Sequence, residues 1–165
     1  MRIKKKRRIE GKTDYKSRAI LLKSSKPRIV VRKTNKYIIV QYVTSKEAQD
    51  FILLSVNSKE LIKYGWPEKM SGSLKSIPAA YLTGKLIGKR IKEKYGEIEA
   101  VFDIGLIRNV AKSRVYAVLK GLVDEGIKIS HSKEIFPGEE RLKGIHLKNK
   151  ITNVIESVKE KIEKE

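Results

Sequence analysis

The chain has 165 residues, of which 40% are hydrophobic, 38 are Lys or Arg and 19 are Asp or Glu, so its formal net charge is +19. This hydrophobic content is enough for a packed core, and the absence of cysteine excludes disulfides and thiolate metal sites. The sequence has no apolar run of about 18 residues that could span a bilayer. No apolar segment follows the basic start MRIKKKRRIEGK to make a secretory signal, so we expect a soluble, intracellular protein.

The positive charge is concentrated near the start of the chain. Residues 1–36 carry 15 basic and 2 acidic side chains, a net charge of +13, which is about two thirds of the total. Such a local field favours a polyanionic partner, either a nucleic acid or an anionic membrane surface. The membrane alternative is the weaker one, because the basic segment lacks an amphipathic apolar face.

The first predicted elements are a basic arm and a short helix. Residues 1–12 have little to bury, so we expect an arm that is extended or disordered when free. Thr13 or Asp14 can cap a helix over Tyr15–Leu22, which ends before the Ser-Ser-Lys-Pro run. Tyr15 is interleaved with the charges, and an aromatic ring in such a place can stack on a base.

A β-hairpin is predicted over residues 28–43, with its turn at Thr34-Asn35-Lys36. The polar residues 45–50 are interpreted as a connection to a third strand at 51–56. Basic side chains crowd the hairpin with no acid among them, which would cost stability through repulsion unless an anion binds there. These side chains are Arg28, Arg32, Lys33 and Lys36.

The central part of the chain is predicted to be helical. A brief helix at 59–64 and a loop at 68–76 precede a long helix at 76–95 with Pro near its first turn. Its stripe of small residues includes Gly84 and Gly88, which we interpret as close packing on a sheet and not as a phosphate-binding loop.

A second helix and a buried strand complete the predicted domain. An apolar strand at 98–102 is followed by a loop at 104–112, a helix at 113–125 capped by Ser113, a brief extended segment at 127–129 and an irregular segment at 130–144. A last helix begins near Ile145 or Leu147 and has one apolar side. The division is therefore a basic arm (1–12), an α/β nucleic-acid-binding domain (13–144) with a mixed sheet flanked by helices, and a C-terminal helix (145–165).

Residue patterns for catalysis are weak. Asp103 at a strand end resembles the position of a metal-binding Asp in nucleases of the ribonuclease H type, but such two-metal sites need several converging carboxylates. The structural interpretation, in which Asp103 caps a turn or pairs with an Arg, is the preferred one. The two histidines, His131 and His146, have no evident third ligand. We therefore expect no metal, no cofactor and no small-molecule substrate.

Several ordered motifs resemble the ribosomal protein L-eighteen family of the large subunit, most closely its archaeal form, whose eukaryotic relative is called L-five. The resemblance covers about residues 7–148. The motifs are EGKTDY at 10–15, KPR at 26–28, VVR at 30–32, KYGW at 63–66, PAAYLTG at 78–84, DIGL at 103–106, LKG at 119–121, HS at 131–132 and IFP at 135–137.

This resemblance implies a function and a set of contacts. The family binds 5S ribosomal RNA (5S rRNA) and anchors it, with large-subunit rRNA and neighbouring ribosomal proteins, in the central protuberance of the cytoplasmic ribosome. Its fold is ribonuclease H-like, of the translational machinery component type, and it is not an enzyme. The loop 108–114 departs from the family pattern at Val110, Ala111 and Lys112, which leaves its backbone shape open while its charge is kept or raised. The expected RNA contacts are Lys4, Lys5, Lys6, Arg7, Arg8, Lys12, Tyr15, Arg18, Arg28, Arg32, Asn35, Lys36, Arg108, Lys112 and Arg114.

Two alternatives to this function stay open from the residues alone. A general nucleic-acid compaction protein would have the same charge and would bind duplex DNA and RNA alike. A ribonuclease H-like nuclease would need Asp103 and magnesium for cleavage.

Overall fold

The computed structural model of the chain describes residues 5–147 and 152–164. In this part of the chain, four strands form one sheet in the order β3-β2-β1-β4. β1 pairs antiparallel with β2 and parallel with β4, and β2 pairs antiparallel with β3. The predicted mixed α/β sheet is therefore confirmed. The strands are β1 (Arg28–Lys33), β2 (Ile38–Lys46), β3 (Gln49–Asn57) and β4 (Val101–Asp103).

The prediction that residues 45–50 form a polar connection is wrong. β2 continues to Lys46 and β3 begins at Gln49, so only Glu47 and Ala48 form the turn. Both residues have positive φ, 52° and 64°, as the two central residues of a type I′ hairpin turn require. Gly or Asn is usual at such positions, so the sequence carried no signal for this tight turn.

Six α-helices lie in the described ranges, and three further segments are 3₁₀ helices. The predicted helix at 59–64 is a 3₁₀ turn over Ser58–Ile62, and the predicted loop at 68–76 contains another at Glu68–Ser73. A third short 3₁₀ turn, Lys133–Ile135, lies in the irregular segment. The α-helices are α1 (Lys6–Ile9), α2 (Tyr15–Lys23), α3 (Ile77–Tyr95), α4 (Arg114–Asp124), α5 (Glu139–Leu142) and α6 (Thr152–Lys164).

α3 and α4 cover one face of the sheet and build the core with it. The ring of Tyr42 on β2 lies 5.4 Å from that of Tyr95, and Phe102 on β4 lies 6.4 Å from Tyr116. Ser76 is the N-cap of α3, and its side chain accepts a capping hydrogen bond. Ser113 is the N-cap of α4, but the predicted side-chain cap does not form there. The largest fully buried side chains are Trp66, Ile29, Ile38, Leu61, Leu74, Leu82, Leu86, Ile87, Ile91, Leu119, Leu122 and Ile162.

The small residues of α3 pack on α4, and not on the sheet as predicted. A β-carbon at Gly84 would lie 2.3 Å from the carbonyl oxygen of Val118, and one at Gly121 would lie 2.4 Å from that of Tyr81. The two helix backbones therefore touch directly. This contact sets the distance between α3 and α4.

The strand predicted at 98–102 is shorter and later than expected. Only Val101–Asp103 pairs with β1, and the predicted segment 127–129 contributes one isolated bridge between Glu99 and Lys128. Asp103 is thus the last residue of a parallel strand. In a sheet of this kind, side chains at the carboxyl ends of strands stand at the edge where ligands bind.

α6 packs on α3 through Ile155, Val158 and Ile162, all three buried. The Lys89 ammonium donates to the carbonyl oxygens of Ile162 and Glu163, at 2.8 and 2.9 Å, near the carboxyl end of α6. The predicted apolar side of the last helix is confirmed at the three buried residues. Its predicted start near Ile145 or Leu147 is wrong, because both residues lie outside any helix and α6 is described from Thr152, after the undescribed residues 148–151. None of the helices described has the length and hydropathy that a bilayer span requires.

Candidate nucleic-acid interface

The N-terminal segment is anchored by a helix cap, which places its cations. Asp14 accepts hydrogen bonds from the backbone N–H of Lys16, at 3.0 Å, and from the Ser17 hydroxyl, at 2.6 Å. The Ser17 bonds lower the pKa of Asp14 below its ordinary value, so the cap is charged at neutral pH. Of the two predicted caps, Asp14 is the one that forms. The neighbouring Thr13 accepts a bond from Arg7 Nε at 2.9 Å.

The expectation of an extended arm is wrong for part of its length. Lys6–Ile9 form the single turn of α1, with exposed Lys6, Arg7 and Arg8. The ammonium of Lys5 lies 4.4 Å from the centroid of the Tyr15 ring, and Lys12 pairs with Glu10 at 2.9 Å. Such a short turn gains little from its own hydrogen bonds. Lys4 lies outside the described residues.

An open cleft of about 780 Å³ separates the N-terminal segment from the loop after β4. Four of the predicted RNA contacts, from three separate segments, converge on it: Arg7, Lys12, Arg18 and Arg32. Its remaining lining is Thr13, Asp14, Ser17, Ile20, Leu21, Phe102, Asp103, Ile104, Gly105, Leu106, Ile107 and Asn109. The cleft thus combines cationic groups with apolar ones.

Arg28 is a structural residue, and its assignment to the RNA surface is wrong. Its side chain is 3% exposed and bonds Asp50 Oδ1 at 2.5 Å and Asp103 Oδ2 at 3.2 Å. A third bond, to the Ser45 hydroxyl, is 2.9 Å long. A buried guanidinium that already contacts two carboxylates cannot reach a phosphate of a bound RNA. The charge of Arg28 instead balances the two carboxylates inside the protein.

Asp50 connects this buried pair to helix α2. Arg18 donates to Asp50 Oδ2 at 2.9 Å and to the carbonyl oxygen of Ala48 at 3.3 Å. Burial on its own raises the pKa of Asp50, but the hydrogen bonds from Ser45 and Arg18 and the charge of Arg28 outweigh it and lower the pKa below 3.8. Asp50 therefore holds α2 against the β2–β3 turn.

Arg32 stands at the cleft with its guanidinium fixed in place. Its Nη1 donates to the carbonyl oxygens of Val31, at 2.8 Å, and Asp103, at 3.2 Å, while 43% of the side chain is exposed. The guanidinium packs on Gly105, where a β-carbon would come within 2.8 Å of Arg32 Cζ. Gly105 also has φ +62°, so a side chain there would be strained as well as blocked.

The preferred structural interpretation of Asp103 is confirmed. Asp103 Oδ1 accepts the backbone N–H of Gly105 at 2.7 Å, which closes the turn after β4, and the two arginines flank the carboxylate. Within residues 5–147 and 152–164, no three His, Asp or Glu side chains come together as a metal site would need.

The remaining predicted contacts are exposed on two turns. Asn35 and Lys36 form the tip of the β1–β2 hairpin, which Thr34 closes through bonds of 2.9 Å to Tyr37 N–H and to its carbonyl oxygen. Arg108, Lys112 and Arg114 are exposed around the 104–113 loop. The loop's backbone shape, which the departure from the family pattern left open, is fixed at Lys112 by positive φ (59°) and a 2.8 Å bond from its N–H to the Ile135 carbonyl.

Three residues of this region were not found from the sequence. Asp50 was assigned to a connection, although it is the acid that balances two arginines. Ile20 lies in a predicted helix and Leu106 in a predicted loop, and neither has a predicted role, yet both are large, apolar and exposed at the cleft. The run Ile20-Leu21-Leu22 could have indicated this. Three consecutive apolar residues on a short helix cannot all lie on one buried face, so at least one of them is exposed.

A mixed α/β sheet whose strand-end cleft is rimmed by cations has the arrangement of a nucleic-acid-binding protein. Comparison with known proteins gives the particular family. The profile of the family "Ribosomal large subunit proteins 60S L5, and 50S L18" matches residues 1–98 and 92–132, and the chain belongs to this family.

Curated archaeal relatives support the same membership. The chain is 52% identical over 146 residues to large ribosomal subunit protein uL18 of Korarchaeum cryptofilum, a match that covers 88% of this chain and 72% of the relative. It is 48% identical over 141 residues to the uL18 of Methanoregula boonei, covering 86% and 78%. It is 50% identical over 142 residues to that of Methanoculleus marisnigri, also covering 86% and 78%. The predicted family is confirmed, and with it a place in the large ribosomal subunit.

Proposed function

We propose that this chain binds 5S rRNA and attaches it to large-subunit rRNA in the central protuberance, as a structural and non-catalytic component. The observation that carries the proposal is the convergence of Arg7, Lys12, Arg18 and Arg32 on one cleft. Cations from the arm, α2 and β1 approach each other there although like charges repel, and a phosphate backbone between them would relieve that repulsion.

Shape and backbone contacts account for most of the proposed binding. Structured RNA is recognised mainly through phosphates and 2′-hydroxyls, with stacking where bases are splayed out. The exposed charged groups around the cleft and on the two turns are mostly Lys and Arg, which suit phosphates. Asn35 at the hairpin tip and Tyr15 beside the arm are the groups that can contact bases.

The non-catalytic part of the proposal is supported by the surroundings of Asp103. A nuclease Asp must offer its carboxylate to a metal ion, whereas this carboxylate already contacts Arg28, Arg32 and the Gly105 N–H. A metal ion there would also be repelled by the two guanidinium groups.

The test is binding of the full chain, and of a variant without residues 1–12, to 5S rRNA, a transfer RNA and a DNA duplex of matched length. If six to eight phosphates are neutralised, affinity should fall on the order of a thousandfold over a fourfold rise in salt. We expect a preference for 5S rRNA that persists at the higher salt and weakens on deletion of the arm. Equal binding to all three, lost together with salt, would refute 5S recognition and leave the compaction alternative.

A further inference from the structure

We propose that the cleft between α2 and the loop 104–113 receives one extruded base of the bound RNA, held between Ile20 and Leu106 with its phosphate at the cationic rim. This proposal rests on the proposed function and specifies a part of it: one site at which the protein contacts a base, in addition to the backbone contacts.

The cleft has the size and the apolar surface that a base needs. Its volume, about 780 Å³, lies within the range of about 300–1,000 Å³ that is usual for small-molecule sites. Phe102, Ile104 and Ile107 are partly buried at the cleft. Ile20 on α2 and Leu106 on the loop are 61% and 54% exposed there.

Exposed aliphatic side chains on two elements that line one cleft indicate an apolar occupant. Scattered apolar residues on a surface need no explanation, but here they come from different segments and line the same cavity. A base that enters between Ile20 and Leu106 would bury both side chains. Leu106 also lines a smaller neighbouring hollow of about 340 Å³ that includes Tyr15, so a second ring could follow the first.

The charges of the cleft fit a nucleotide better than an apolar peptide. Four cations line it against two acids, Asp14 and Asp103. Both acids are already engaged, Asp14 in capping α2 and Asp103 in bonds to Arg28 and Gly105. Lys12, Arg18 and Arg32 also have acid partners, but the side chains of Lys12 and Arg32 remain 65% and 43% exposed. Arg8 and Lys16 line the adjoining hollow, so cations still outnumber acids where a nucleotide would place the phosphate next to its flat base.

Arg32 supplies a planar surface in addition to its charge. Its guanidinium is held by two carbonyl oxygens and packs on Gly105, so little freedom would be lost when a base stacks on it. Stacking of unpaired bases on Arg planes is a common element of RNA recognition.

Alanine substitution at the apolar residues separates base insertion from backbone binding. Leu106→Ala and Ile20→Ala leave every charge in place, so we expect each to weaken 5S rRNA binding about tenfold, as loss of a base contact does. The slope of log affinity against log salt should stay unchanged, since that slope counts phosphates. The matched control is Ile52→Ala, which truncates a similarly exposed isoleucine (57%) on β3, outside the cleft lining. It should bind as the wild type does.

Chemical probing of the RNA gives the second readout. In the wild-type complex we expect at least one unpaired base to be protected from a base-specific methylating reagent. Leu106→Ala should expose that base while the hydroxyl-radical footprint on the backbone stays the same. Wild-type affinity in both cleft variants, or equal losses in the variants and in Ile52→Ala, would overturn the proposal. If the wild type itself does not prefer 5S rRNA, the proposed function is refuted. This measurement needs no variant, so the two failures can be distinguished.

Discussion

Gly84 on α3 is the position where a single methyl group should do the most damage to the fold. A β-carbon there would lie 2.3 Å from the carbonyl oxygen of Val118 and 3.0 Å from its Cα. These are backbone atoms of α4, which cannot rotate away as a side chain does. Gly84→Ala therefore requires the two helices to separate by about 1 Å, because packed interiors have almost no free space.

The size of the effect follows from two opposing contributions. Overpacking of a close contact costs about 1–3 kcal/mol and occasionally more, and this clash with backbone is at the upper end. Alanine gains about 1 kcal/mol over glycine inside a helix. We expect a net loss of about 2 kcal/mol, which corresponds to a Tm lower by roughly 4–8 °C for a domain of this size.

Gly88→Ala, one turn later on the same helix, is the matched control. Its added β-carbon would meet Cβ and Cγ of Glu125 at 3.0 and 3.1 Å, and this side chain can shift. The same gain in helix propensity applies, so the free energy of unfolding should change by less than about 1 kcal/mol. Urea titration followed by far-ultraviolet circular dichroism measures both variants. Equal stability of Gly84→Ala and Gly88→Ala would refute the argument that direct backbone contact limits position 84.

Three further predictions concern the charged groups. Arg28→Met leaves Asp103 without its buried partner and should lower the free energy of unfolding, measured by urea titration, by about 3–5 kcal/mol. The slope of log RNA affinity against log salt should not change. A reduced slope would show that Arg28 contacts the RNA after all. Because the folded state lowers the pKa of Asp50, the stability that Asp50 adds is complete above pH 3.8 and is lost as the pH falls below that value. Asp50→Asn should therefore reduce stability at pH 7 and flatten the acid limb of a pH–stability curve, and a wild-type acid limb in this variant would contradict the assignment. Arg108→Ala should lower the salt slope of 5S rRNA binding by about 0.7–0.9, the contribution of one phosphate, whereas the control Lys159→Ala on α6 should leave it unchanged; equal effects would show that only total charge matters.

Local patterns predicted most of the architecture. The hairpin, the long helix and its Pro-containing start depend on neighbouring residues, and they appear at 28–46 and 77–95 nearly as expected. The tight turn at Glu47 and Ala48 was missed because neither residue type favours positive φ. The sequence predicts that the small residues around Gly84 pack on the sheet, whereas they pack on α4. A stripe of small residues predicts that another element packs closely on the helix, but it does not identify that element.

The site was predictable in its charge and not in its pairing. The concentration of Lys and Arg in the arm and hairpin favours a polyanionic partner, and this stays a prediction. Arg28 was misassigned because its partners, Asp50 and Asp103, lie 22 and 75 residues away along the chain, and nothing local distinguishes a paired arginine from an unpaired one. The apolar part of the cleft was missed because Ile20 and Leu106 become neighbours of one cavity only after the sheet places α2 opposite the loop.

The position of β3 has a consequence for how the free protein behaves before it meets its partners. In the described part of the sheet, β3 is an edge strand, with β2 as its neighbour on one side, and Phe51, Ile52 and Leu53 are exposed along it. Exposed apolar edge strands are sites where copies of a chain pair with each other and aggregate. We therefore expect protein made in excess of its RNA to aggregate through this strand. Ile52→Lys should keep the purified protein in solution longer.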